Sequence, residues 1–236
     1  MDIIASATFW TALARIAIVI LTVLLAWITY QSNLILRRIQ PDFNLLLSTP
    51  ELLLRVALVG LCLMLAWLTG LSAAQLGLMI TSPVRDIGLG LTVGFGLQLM
   101  INLVTYEAIR YFGREIYSPR VILNILPRRS VEWLLVPLAL LPAVAMEELL
   151  FRSLWLGGFG DIIPMPVLIL GTSIVFGVMH LPQGYLGVVG SAVLNVLLAL
   201  LFLWSGGILA PFVAHYTINL SQVVVAHFQR GRLQNY

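Results

Sequence analysis

The 236-residue sequence predicts an all-α fold, a polytopic transmembrane bundle of about seven spans. Three observations carry that expectation. Sixty per cent of the residues are hydrophobic and only 10% are charged, against roughly 25% charged in soluble domains. The mean hydropathy is +1.01. Apolar runs recur at close to the length a spanning helix needs, about 20 residues. Water cannot solvate a surface this poor in charge, so lipid must solvate much of it. The length suits one membrane domain and leaves no room for a sizeable soluble one.

The runs fall at about 9–30, 52–74, 87–108, 131–157, 166–181, 185–204 and 208–228. The first is too long for the apolar region of a signal peptide, carries Arg15 and lacks a small-residue cleavage site, so it is expected to stay as a helix. The fifth is short and is expected to draw on its flanks. Pro41, Pro50, Pro83, Pro164, Pro166 and Pro182 mark boundaries, and so does the Ser205-Gly206-Gly207 turn. That turn makes the sixth and seventh spans an antiparallel pair. The longest loop is 109–130. No internal repeat or low-complexity tract interrupts this order.

All thirteen basic residues are arginine. Their net charge of +3 sets topology in a membrane protein and does not indicate a nucleic-acid partner. The first loop carries Arg37 and Arg38, the third carries Arg110, Arg114, Arg120, Arg128 and Arg129, and the tail carries Arg230 and Arg232. The fourth and sixth loops carry none. With seven spans, this puts the N-terminus outside and the C-terminus inside; Arg85, in the second loop, is the exception. Cys62 is the only cysteine, so a single chain has no disulfide framework and no cysteine-based metal site.

An ionisable side chain at the bilayer centre costs about 2.5–3.5 kcal/mol on insertion scales, so such residues inside spans are the ones to examine. Three groups qualify. In Glu147-Glu148-Leu149-Leu150-Phe151-Arg152, Glu148 and Arg152 lie about 40° apart on a helix and can pair, while Glu147 lies about 140° from Arg152. An interfacial ion pair is the plain alternative. In Phe176-Gly177-Val178-Met179-His180, the histidine ends the fifth span, where an interfacial ring is the alternative. In His215-Tyr216-Thr217-Ile218-Asn219, His215 and Asn219 share a face of the seventh span, where polar helix–helix contact is the alternative. Two carboxylates, a cation, two histidines and an amide on three apolar helices can, together, activate water and stabilise an oxyanion where water is scarce. That is equipment for amide hydrolysis.

The motifs EExxxR, FxxxH and HxxxN, in this order on successive apolar segments, resemble those of the CPBP family of intramembrane proteases. That family includes CAAX prenyl endopeptidases of the Rce1 type and bacterial Abi and bacteriocin-processing proteins. The resemblance spans about residues 80–228 and extends to Phe151-Arg152 and the Gly207–Pro211 run. Ser153 stands where glycine is common in the family. The resemblance divides the chain into N-terminal transmembrane helices, 1–79, and a protease-like core, 80–236. It implies that Glu147 activates water, that Glu148 supports it while held by Arg152, that His180 helps hold the water, and that His215 and Asn219 bind water or the oxyanion. It implies an endopeptidase without a cofactor. It leaves a zinc site open, in which Glu147, His180 and His215 would be the ligands.

Rival protease motifs do not fit. H-E-x-x-H and G-x-S-G are absent from the sequence. Gly158-Phe159-Gly160-Asp161 spells G-x-G-D, but Asp2, Asp42 and Asp86 lie in loops or at the terminus, so no second aspartate is expected within a span. The expected partners are a protein or peptide substrate at the membrane and the lipid bilayer, with no nucleic acid. The expected location is a prokaryotic plasma membrane. The competing function is that of a catalytically idle scaffold or immunity protein of the same family.

Overall fold

The computed structural model describes residues 2–36, 38 and 41–233, and every element among them is helical. Arg37, counted above toward topology, lies outside the described residues. The principal helices are α1 (Asp2–Leu36), α2 (Thr49–Leu68), α3 (Pro83–Phe112), α5 (Glu132–Glu148), α6 (Met165–Met179), α7 (Gly184–Ser205) and α8 (Leu209–Phe228). Two short ones, α4 (Arg120–Ile125) and α9 (Arg230–Leu233), lie in the third loop and the tail. Six of these helices are long and apolar enough to cross a membrane. The seventh, α6, has 15 residues.

Local chemistry sets most boundaries. Pro50, Pro83 and Pro166 sit in the first turns of α2, α3 and α6, where a missing N–H costs no hydrogen bond. Gly206, at φ 78°, closes α7 in the left-handed conformation glycine adopts without strain. The first and third helices run beyond the expected 9–30 and 87–108, and two boundaries fall short of expectation. The second run stops at Leu68, because Thr69 turns its hydroxyl back onto the Ala66 carbonyl and a turn follows. The fifth run draws nothing from its C-terminal flank. It stops at Met179, and Leu181–Gln183 tightens into a 3₁₀ turn around Pro182.

Contacts between small residues give the helix directions. A Cβ on Gly90 would stand 2.7 Å from the Ala210 carbonyl, and one on Gly94 would stand 2.8 Å from the Ala214 carbonyl. Both sequences advance together, so α3 and α8 run parallel, their backbones brought close by a small-xxx-small stripe. Gly177 meets Val188 and Ala192, while Ser173 meets Asn195, so α6 and α7 are antiparallel. A parallel α3 and α8 require an odd number of reversing helices between them, and α5 and α7 alone would make two. Hence the short α6 counts as a traverse, and the bundle has seven.

The largest apolar cluster joins the two N-terminal helices to the fourth and fifth spans. It contains Ile18 and Leu25 of α1, Cys62 and Leu65 of α2, and Leu150, Phe151, Leu154 and Phe176. Exposed Leu, Ile, Val and Phe side chains cover the outside of the bundle, as lipid contact requires.

Candidate active site

The fourth span changes its winding where its charges lie. The α-helix α5 ends at Glu148, and Leu149–Gly157 continue as a π-helix carrying Arg152. Such segments are rare and concentrate at functional sites. Glu148 and Arg152 are both fully buried, and Arg152 Nε lies 3.1 Å from Glu148 Oε2. The pairing expected from an α-helical spacing therefore holds across the change of winding. It is an ion pair without hydrogen-bond alignment, since neither atom has a hydrogen-bond partner.

The other oxygen of Glu148 is also engaged. His215 Nδ1 donates to Glu148 Oε1 at 2.7 Å. Across the same ring, His215 Nε2 lies 3.5 Å from Glu147 Oε2. The imidazole thus stands between two adjacent carboxylates in different surroundings. Glu148 is wholly buried and committed to Arg152 and His215. The Glu147 side chain keeps 22% of its surface exposed. Helical spacing alone placed Glu147 away from Arg152; it could not show that a histidine from α8 faces it.

Phe176 connects the second and third motifs. Its ring is 4.5 Å from that of His180, 5.0 Å from that of Phe151 and 6.1 Å from that of His215. His180 caps the C-terminal end of α6 and comes within electrostatic reach of Glu147 and His215. Its Nδ1–H donates to the Phe176 carbonyl at 2.7 Å, which leaves Nε2 with a free lone pair. Asn219 is half-buried, one turn beyond His215 on α8. Five of the six expected side chains are thus joined by direct contacts or through Phe176, and Asn219 follows on the same helix face.

A zinc site does not fit these positions. Among the described residues, no three His, Cys, Asp or Glu side chains are grouped to hold a metal ion. The donor geometry explains this. His215 directs one nitrogen to Glu148 and the other toward Glu147.

One polar residue of the cluster comes from outside the motifs. Asn195 of α7 is 1% exposed. Its Oδ1 accepts from Arg152 Nη1 at 2.9 Å, and its Nδ2 donates to Ser173 Oγ at 3.0 Å. A search confined to ionisable side chains passes over it. The available signal is that it is the single amide in the sixth apolar run.

Two residues outside the site find other partners. Arg15 donates to the Gly158 carbonyl and to Asp161, so the aspartate of the G-x-G-D string is held in a surface ion pair. Arg85, the topological exception, donates to the Ser205 carbonyl and lies 3.3 Å from Asp86.

Residues 129–221 match the family model described as type II CAAX prenyl endopeptidase Rce1-like. No curated protein and no solved structure is significantly similar to the chain. The matched segment starts just before α5, ends in α8 and contains all six motif residues. It is narrower than the 80–228 expected from the motifs, and α3 lies outside it. With its six long apolar helices the chain is a multi-pass integral membrane protein, and its residues 129–221 are similar to the Rce1-like family of type II CAAX prenyl endopeptidases.

Proposed function

We propose that this protein is an intramembrane endopeptidase that hydrolyses peptide bonds with a water activated by Glu147, in what we take to be a prokaryotic plasma membrane. The observation that carries the reading is the contrast between the two neighbouring acids. Glu148 is buried and committed to Arg152 and His215, while Glu147 is partly open, with the His215 ring beside it. Only Glu147 can meet water, and a carboxylate in a mostly apolar site is a competent general base.

In this mechanism Glu147 takes a proton from water, and the hydroxide attacks the scissile carbonyl carbon. The carbonyl oxygen becomes an oxyanion, stabilised by His215 and Asn219, while His180 holds the attacking water through the free lone pair of Nε2. The C–N bond then breaks, and Glu147 returns its proton to the leaving amine. Arg152 pairs with Glu148, and Glu148 keeps His215 oriented through Nδ1. No step needs a cofactor. The partner is a protein or peptide at the membrane, and a prenylated CAAX peptide is the first substrate to try.

The test compares the termini of membrane proteins in cells carrying the wild type or Glu147→Gln. Cleavage products should disappear with the variant, whose melting temperature stays near normal. Cleavage of a verified substrate by purified Glu147→Gln at the wild-type rate would overturn the assignment. If no terminus depends on Glu147, the idle-scaffold reading takes its place.

A further inference from the structure

Arg152 is the largest fully buried side chain among the described residues, and its three nitrogens are treated unequally. Nε faces Glu148, Nη1 donates to Asn195, and Nη2 has no hydrogen-bond partner. The guanidinium is therefore held at two points on opposite sides, a carboxylate of its own span and an amide of α7. A guanidinium only donates, so the oxygen of Asn195 must face it, and the amide nitrogen must face α6. There Ser173 Oγ accepts at 3.0 Å and Thr172 Oγ1 at 3.4 Å. The Thr172 hydroxyl gives its own proton to the Leu168 carbonyl at 2.7 Å, which leaves its oxygen free to accept. Donor and acceptor directions agree along the whole path from α6 to Arg152.

We infer that Asn195 is a positioning residue of this site, setting through Arg152 and Glu148 the orientation of the His215 ring opposite Glu147, and holding through Ser173 the helix that His180 caps. The catalytic part of this inference rests on the hydrolase reading; the geometric part does not. Without Asn195, Arg152 is tethered at one end only. Glu148 then has a mobile cation at Oε2 while Oε1 must still orient His215. Ser173 lies on the short helix that His180 caps at its C-terminal end, so the link that fixes Arg152 also fixes that helix against the fourth span.

The experiment uses the full chain reconstituted in lipid, with ¹⁵N-labelled histidine. Only three histidines are present, so each imidazole is assignable by substitution. Asn195→Asp keeps an oxygen on Arg152 but draws it toward a second carboxylate and loses the donor to Ser173. We expect the His215 Nδ1 resonance to move, while a control, Thr22→Val, which removes the acceptor of the Trp155 indole and the hydroxyl's bond to the Ile18 carbonyl, leaves it in place. On a prenylated CAAX peptide, kcat should fall about 10- to 100-fold, the usual cost of losing an outer-shell partner, with KM unchanged. Ser173→Ala should shift the same resonance less, and it decides the matter should Asn195→Asp fail to fold.

A folded Asn195→Asp, or failing that Ser173→Ala, with wild-type His215 resonances and kcat would overturn the inference. A moved His215 resonance in a protein with no Glu147-dependent cleavage would sink the hydrolase reading and leave the positional link standing.

Discussion

At the scale of single residues, the site contrasts satisfied and unsatisfied buried groups. Arg152 has no solvent, one carboxylate and one amide around it. Arg152→Leu leaves Glu148 buried without its cation, and breaking a buried pair costs about 3–5 kcal/mol. The variant should melt well below wild type in a thermal-shift assay and should also lose activity. An unchanged melting temperature would contradict the pairing. Next to it, Ser153 is fully buried and its hydroxyl has no partner. A buried, unpaired polar group costs about 1–3 kcal/mol, so Ser153→Ala should stabilise the protein by about 1 kcal/mol, measured by the same unfolding assay.

At the scale of elements, close backbone approach decides where the motif residues stand. Gly94 packs on Ala214 and Thr217, the residues flanking His215 and Tyr216 on α8. Gly94→Val would push α8 away from α3 and move His215 with it. The expected cost is about 1–3 kcal/mol of overpacking, together with lost turnover, read by unfolding and cleavage assays. Gly184 makes a second such contact. Its φ is 84°, and a Cβ there would stand 2.6 Å from the Ile116 carbonyl, where Ser118 N donates to the Gln183 carbonyl. This packs the third loop against the turn that follows His180. Gly184→Ala should therefore loosen that loop, seen as faster proteolysis within residues 113–126, without touching a motif residue.

At the scale of the whole molecule, charge tests both topology and the tie between α1 and the fourth loop. Arginine placement puts the N-terminus outside and residues 114–128 inside. Single cysteines introduced in a Cys62→Ala background should label from the inner side within 114–128, and labelling from the outer side would overturn the orientation. Across the bundle, Arg15 beside Asp161 holds that carboxyl below its ordinary value of 3.8. A lowered value means the contribution to stability is present above the ordinary value and is lost as pH falls through the folded one. Melting temperature measured from pH about 5 down to about 3 should fall less in Asp161→Asn than in wild type. The difference should be small, because Asp161 is largely exposed and solvent screens the pair.

The sequence by itself determined the solvent, the number of spans and the residues worth examining. Hydropathy reports transfer from water to lipid, which is local and additive, and a spacing of four on an apolar helix is enough to pair Glu148 with Arg152. It was blind to whatever depends on which helices meet. The His215 ring between Glu147 and Glu148, the end of α6 that brings His180 within reach of Glu147, and the amide of Asn195 behind Arg152 each join residues far apart in the chain. A lone asparagine in an apolar run spells the same whether it faces lipid, a neighbouring helix or a buried guanidinium. Only the tertiary structure decided between them, because a polar group in lipid must find its partner on another helix, and periodicity along one helix cannot say which.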